Sequence, residues 1–141
     1  MIYTALTKKA MKLCFQAHKD QLDKSGLPYV FHPFHLAEQM EDEYSTVVAL
    51  LHDVMEDTAF NLEDLRYMGY PEEVLEALVL MTHVEGVPYT EYVAAIKTNS
   101  IARKVKLADL RHNSDTSRLD VITERDLVRV EKYRQAMEIL R

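Results

Sequence analysis

A chain of 141 residues, 48% hydrophobic and 28% charged with three glycines and four prolines, fits one domain with its own core and excludes a disordered or low-complexity polypeptide. Its formal net charge of −6 opposes bulk attraction to nucleic acid or anionic membranes, so the expected partner is a small molecule in a local pocket. Cys14 is the single cysteine, which rules out an internal disulfide, and MIYTALTKKAMKLC lacks the apolar run of a signal peptide or membrane span; a reducing cytoplasm is the expected setting, with oligomeric state left open.

The hydrophobic period is helical almost everywhere, and no alternating strand-like run interrupts it, so the fold class is all-α. The first helix is expected from Thr4 to Leu22, with Leu6, Ala10, Leu13, Cys14 and Ala17 on one stripe. DKSGLPYV breaks it, and Pro33 suits the first turn of a second helix. A third follows the acidic run Glu41 to Glu43, with Ser45 as its expected cap, and continues through ALLHDVMEDT. Asn61 caps a short helix that Gly69 ends, Pro71 starts another through LEALVLMTH, and EGVP separates that from YTEYVAAIK. Ser100 is the expected cap of IARKVKLADLRHN. After a polar connection from Ser114 to Ile122, Thr123 and Asp126 form a capping-box pair for a last helix that reaches the C-terminus.

Within ALLHDVMEDT, a continuous helix places His52, Asp53, Glu56 and Asp57 within an arc of roughly 140°, opposite Leu50, Leu51, Val54 and Met55. A solvated helix face usually mixes lysine with glutamate. This one carries three carboxylates and an imidazole with no internal cation, so repulsion among the acids calls for an external positive charge, which a metal ion would supply. One turn offers too few ligands. His32 before Pro33 and Asp109 in VKLADLRHN are the further candidates; each alone is more often a structural residue than a ligand, and together they make a mixed nitrogen and oxygen donor set without thiolates.

His at HP, adjacent His-Asp in LLHD and a distant Asp in KLAD reproduce the H…HD…D signature of HD-domain phosphohydrolases. Through AH…Q, KSGLPYVFHP, ALLHDVMEDT and VKLADLRHN in the same order, the chain resembles the hydrolase domain of RelA/SpoT-type guanosine polyphosphate (ppGpp) enzymes and their small stand-alone relatives. The resemblance implies an HD-domain helical bundle over residues 1–141. It implies that His32, His52, Asp53 and Asp109 bind one divalent metal, manganese being the ion expected, and that Glu56 and Asp57 are the catalytic acidic pair. Lys24 and Asn113 are the implied substrate-binding residues.

The chemistry fits that division. A bound ion lowers the pKa of water and polarises a phosphoryl oxygen, and a carboxylate one helical turn away can take the water's proton. Lys106, Asp109 and Asn113 share one face of their helix; Lys106 either flanks the aspartate or snorkels to solvent, and Asn113 either reaches substrate or ends the helix. His18 is expected in a hydrogen-bonding role behind the ligands, His35 is not a ligand in the family pattern, and His83 and His112 read as helix-end polar groups. Tyr89 and Tyr92 either line a nucleotide pocket or pack. One departure bears on substrate. The family carries a basic pair, typically Arg-Lys, whose arginine stacks on the base, whereas this chain has Asp23-Lys24, so an aspartate is expected to offer no stacking face and to repel the phosphates. The expected activity is a metal-dependent phosphohydrolase acting on a small phosphorylated nucleotide, with ppGpp 3′-pyrophosphohydrolase leading. The alternatives are an HD phosphohydrolase for a different nucleotide or small phosphate ester, and a non-enzymatic metal-containing nucleotide-sensing module.

Overall fold

A computed structural model describes all 141 residues as nine α-helices and no named strand: α1 (Ala5–His18), α2 (Phe31–Glu38), α3 (Glu43–Leu51), α4 (Val54–Asp57), α5 (Leu62–Tyr67), α6 (Glu72–Met81), α7 (Tyr89–Lys97), α8 (Ser100–Ser114) and α9 (Glu124–Leu140). The bundle is organised around α3, which packs against α1, α2, α6 and α8. Its sequence explains the placement. Val47, Val48, Ala49, Leu50 and Leu51 follow one another without a polar interruption and are all fully buried, so α3 is apolar all round and needs neighbours on every side. Each such large side chain contributes roughly 1.5–3 kcal/mol on burial. No helix is long and apolar enough to cross a membrane.

Several helix starts follow the sequence signals. Asn61 and Asp64 form a reciprocal capping box on α5, Thr123 and Asp126 form another on α9, and Pro71 immediately precedes α6. Gly69 follows α5 with φ +93, a left-handed conformation that costs glycine little. Other boundaries differ. The cap of α3 is Asp42, whose carboxylate accepts from Ser45 N at 2.8 Å, and Ser45 lies buried inside the first turn. Asn99 rather than Ser100 caps α8, accepting from Ala102 N at 2.9 Å. Both substitutes are short polar side chains that cap as well as serine, so the true cap is whichever residue the chain holds extended. The first helix stops at His18, whose carbonyl accepts from Gln21 N, and Leu22 is exposed where it forms an isolated bridge with Pro28.

The difference that matters most lies in ALLHDVMEDT, which is not one helix. α3 ends at Leu51, His52 is its C-cap, Asp53 turns at φ −107 and ψ 3, and the single-turn α4 restarts at Val54. The His52 side chain sustains this ending: its Nδ1 lies 2.7 Å from Ala49 O, so the imidazole satisfies a carbonyl that the helix end leaves free. The adjacent His52 and Asp53 therefore lie at a change of chain direction rather than splayed on one helical face.

Candidate active site

A cavity of about 420 Å³ opens where the loop after α1 meets α2, α4, α8 and the α8–α9 connection. Among its lining residues are Lys24, His32, Asp53, Glu56, Asp57, Lys106, Asp109 and Asn113. His52 lies behind this surface, fully enclosed but in contact with the acids that line it. All eight residues singled out from the sequence as ligands, catalytic acids or substrate contacts thus meet in one place, and four elements far apart in the chain bring them there.

The ligand candidates form the cavity's buried floor. His32, His52 and Asp109 each offer an atom within 4.8 Å of the others, and all three residues are buried. His32 Nε2 is 2.8 Å from Asp109 Oδ1, and His52 Nε2 is 3.5 Å from the same oxygen. Asp53 stands at the edge of this group, its Oδ2 3.1 Å from His52 Nε2 and hydrogen-bonded by the Tyr29 hydroxyl. Despite these approaches, His52 Nε2 has no hydrogen-bond partner. A carbonyl only accepts, so Nδ1 of His52 carries a proton toward Ala49 O and Nε2 is the atom aimed at the site. An orphaned buried nitrogen between two carboxylates is what a cation-binding site presents without its cation, and two imidazoles with two carboxylates suit manganese, iron or zinc.

The electrostatics agree. Burial opposes charge on His52, but the Asp53 and Asp109 carboxylates outweigh it and raise the imidazole well above its usual range. Burial likewise opposes ionisation of Asp53, and His52 overrides it to hold the acid at about 2. The two carboxylates thus favour positive charge beside His52, which a divalent ion would supply. Asp109 is charged at greater depth: burial resists, and Lys106 foremost, with His32 and His52, keeps it well below the carboxylate range.

Lys106 does not snorkel to solvent. Its ammonium lies 2.9 Å from Asp109 Oδ2, with its side chain 13% exposed. Asn113 lies in the last turn of α8 but is not its C-cap, which is Asp115, and its amide donates to Asp109 Oδ1 at 2.9 Å. The helix-cap reading of Asn113 is thereby overturned. On the other side of the cavity Glu56 and Asp57 are both exposed. Glu56 accepts from the backbone of His83, and Gln21 anchors the Asp57 carbonyl at 2.9 Å. Partial burial, then Asp53 and Glu56, push the Asp57 carboxyl up to about 6, the range that suits a group exchanging protons near neutrality.

Some residues acquire roles that the sequence did not reveal. His112, expected as a helix-end group, stacks on His32 with their Nδ1 atoms 2.6 Å apart. The contact holds the two rings in a fixed mutual orientation, and burial, then His32 and Arg118, lowers His112 to about 4. The same contact turns Nε2 of His32 toward Asp109 Oδ1, on the side of the ring that faces the other ligand candidates. Tyr29, three residues before His32, orients Asp53, and the i and i+3 spacings of Tyr29 to His32 and Asp109 to His112 were the only signals available. His18 is fully buried, bonded to Gln21 at 2.8 Å and edge-on to Tyr29, behind the ligands as expected. Exposed His35 leans on His112. Tyr92 donates to Met81 O at 2.6 Å, and Lys132 lies over the Tyr89 ring, so both tyrosines pack rather than line the cavity.

Asp23 is not the bare anion that its position suggests. Oδ1 accepts from Ser25 N, Ser25 Oγ and Leu27 N, and Oδ2 accepts from Arg118 at 3.1 Å. Burial opposes its charge, and these partners together hold the carboxyl below its usual range.

No family model matches the chain. A probable GTP pyrophosphokinase of Mycobacterium leprae is 33% identical over 127 residues, covering 81% of this chain and 16% of that protein. A guanosine-3′,5′-bis(diphosphate) 3′-pyrophosphohydrolase of Borreliella burgdorferi is 30% identical over 124 residues, covering 77% and 18%. The bifunctional (p)ppGpp synthase/hydrolase RelA of Mycobacterium tuberculosis is 32% identical over 126 residues, covering 81% and 17%. The chain thus spans about one sixth of the length of these relatives. Among solved structures, a metazoan ortholog of SpoT described as hydrolysing ppGpp matches the whole chain and 88% of its own, with a TM-score of 0.77 at 23% identity. That likeness confirms the HD-type helical fold.

Proposed function

As a relative of the RelA/SpoT-type guanosine polyphosphate proteins, this chain is, we propose, a metal-dependent phosphohydrolase whose leading substrate is ppGpp, cleaved at its 3′-pyrophosphate. The observation that carries the reading is the buried donor cluster of His32, His52 and Asp109, of which His32 and Asp109 line the same cavity as the exposed acids Glu56 and Asp57. His32, His52 and Asp109, with Asp53 beside them, would hold one divalent ion, manganese in our reading. When bound, that ion would acidify water and polarise a phosphoryl oxygen.

The chain's own residues supply the rest. His112 and Ala49 O fix the two imidazoles with Nε2 toward the site. Lys106 and Asn113 orient Asp109, and Asn113 also lines the cavity within reach of substrate. Asp57, raised to about 6, takes a proton from the attacking water, and Glu56 beside it orients that water. Lys24 lines the cavity without a carboxylate in salt-bridge contact, whereas Lys106, Arg118 and Arg129 each have one. Lys24 is therefore the cation free to meet a phosphate. A sensing module that kept the metal as a clip would have no use for two acids exposed to the cavity.

Manganese-reconstituted protein assayed against a nucleotide panel for phosphate and pyrophosphate release tests the proposal. Native protein is expected to release pyrophosphate from ppGpp, His52→Ala to lose both metal and turnover, and Glu56→Gln and Asp57→Asn to keep about one metal per chain while losing most turnover. Efficient cleavage of another nucleotide in place of ppGpp would reassign the substrate. Undiminished metal in folded His52→Ala protein, or no hydrolysis of any nucleotide, would overturn the reading.

A further inference from the structure

The cavity wall made by the loop after α1 and by the α8–α9 connection contributes no metal-ligand candidate, yet it holds a cation fixed by two hydrogen bonds. Arg118 donates through Nη1 to Asp23 Oδ2 at 3.1 Å and through Nη2 to His112 O at 3.4 Å. Both contacts use the edge of the guanidinium, and its side chain remains 30% exposed on the cavity. A guanidinium bonded along its edge still presents a flat, weakly hydrated face, and such faces stack on planar aromatic groups. Leu22 and Leu119 line the same wall and add apolar surface beside it.

Charge balance points the same way. Asp23 neutralises Arg118, so the pair adds no net charge, in contrast to the unpaired Lys24 next to it. An anionic group gains little at a neutral pair, whereas an uncharged flat ring gains dispersion and stacking there. Asp23 is itself held by three donors from Ser25 and Leu27, which makes it a rigid anchor for a side chain 95 residues further along.

We infer that Arg118 is a specificity-determining residue whose guanidinium face receives the planar base of the substrate, and that Asp23 is the positioning residue that holds it there. This deepens the phosphohydrolase reading, on which the identity of the ligand rests. It also reverses the expectation drawn from Asp23 alone: the base platform is supplied beside Asp23, on the same wall, by a different element.

The test is equilibrium binding, which does not depend on turnover. Affinities of manganese-loaded native protein, Arg118→Lys and Asp23→Asn are measured for ppGpp and for inorganic pyrophosphate, which has no base. Lysine keeps the charge and the reach to Asp23 but has no flat face. Arg118→Lys is expected to weaken ppGpp binding by roughly tenfold while pyrophosphate changes less than about twofold. Asp23→Asn is expected to weaken ppGpp alone by roughly threefold, a selectivity that general loosening of the loop would not produce. Unchanged ppGpp affinity in Arg118→Lys, equal losses for both ligands, or native ppGpp binding no tighter than pyrophosphate would overturn the assignment. Base-dependent binding in a protein that hydrolyses no nucleotide would sink the enzymatic reading and leave Arg118 in place.

Discussion

Replacing Lys106 by methionine removes the cation nearest Asp109 while keeping the length of the side chain. The pair is separated by 2.9 Å with both side chains largely withdrawn from water, and an effective dielectric of about 20 gives an attraction of roughly 6 kcal/mol. Much of this is offset by the cost of burying Lys106, so the relevant comparison is loss of one partner from a buried pair, about 3–5 kcal/mol. His32 and Asn113 still donate to Asp109, which places the expected loss at about 3 kcal/mol, or a fall of about 10 °C in Tm for a chain of this size. The loss is expected only without metal. With manganese bound, the ion would compensate Asp109, and the gap between native and Lys106→Met should shrink to about 1 kcal/mol or less. Denaturant melts of both proteins, with chelator and with excess manganese, provide the four stabilities. A metal-free loss below about 1 kcal/mol, or a gap that manganese leaves unchanged, would refute the reasoning.

Asp57 titrates at about 6 in the folded metal-free chain, above the roughly 3.9 of an unfolded aspartate. The folded state binds the extra proton between those values, so this group makes stability rise as pH falls from above 6 toward 4. Asp57→Asn should flatten that slope in chelator, and the same slope in both proteins would contradict the assignment. If the metal-loaded protein hydrolyses nucleotides as proposed, a proton acceptor at this position requires kcat/KM to fall on the acid side with Asp57 as the titrating group, with the bound cation moving the limb below 6. Asn113→Ala should raise KM and weaken metal binding by several-fold without shortening α8, as followed by circular dichroism, because its amide supports Asp109 rather than capping the helix.

The residues of the site were legible because their chemistry is rare on a helix: three acids with an imidazole and no cation, and a histidine fixed before a proline. Local signals likewise located α5 and α9, where the cap and its partner lie three residues apart, and α6, which Pro71 precedes. What stayed hidden depends on contacts across the chain. The break after α3 is sustained by His52 turning back on Ala49 O, and a wheel drawn on periodicity cannot distinguish it from a continuous helix. The burial of Lys106 follows from Asp109 and from the Tyr92 ring 5.4 Å away, not from any local pattern. Asp23 was legible as a departure but not as an anchor, because Arg118 lies 95 residues away.

The break between α3 and α4 divides the site into two parts with different freedom to change. His52, at the centre of the donor cluster, closes α3, where every residue from 45 to 51 is buried, and a substitution there disturbs four packed helices before it disturbs any chemistry. The acids occupy a single turn whose Glu56 and Asp57 are exposed, and replacing them disrupts little packing. Substitution at Glu56 and Asp57 can therefore change the acids on the cavity while the buried donor cluster stays fixed. A fold partitioned in this way separates what must stay packed from what is free to vary, and the two residues His52 and Asp53 mark the boundary.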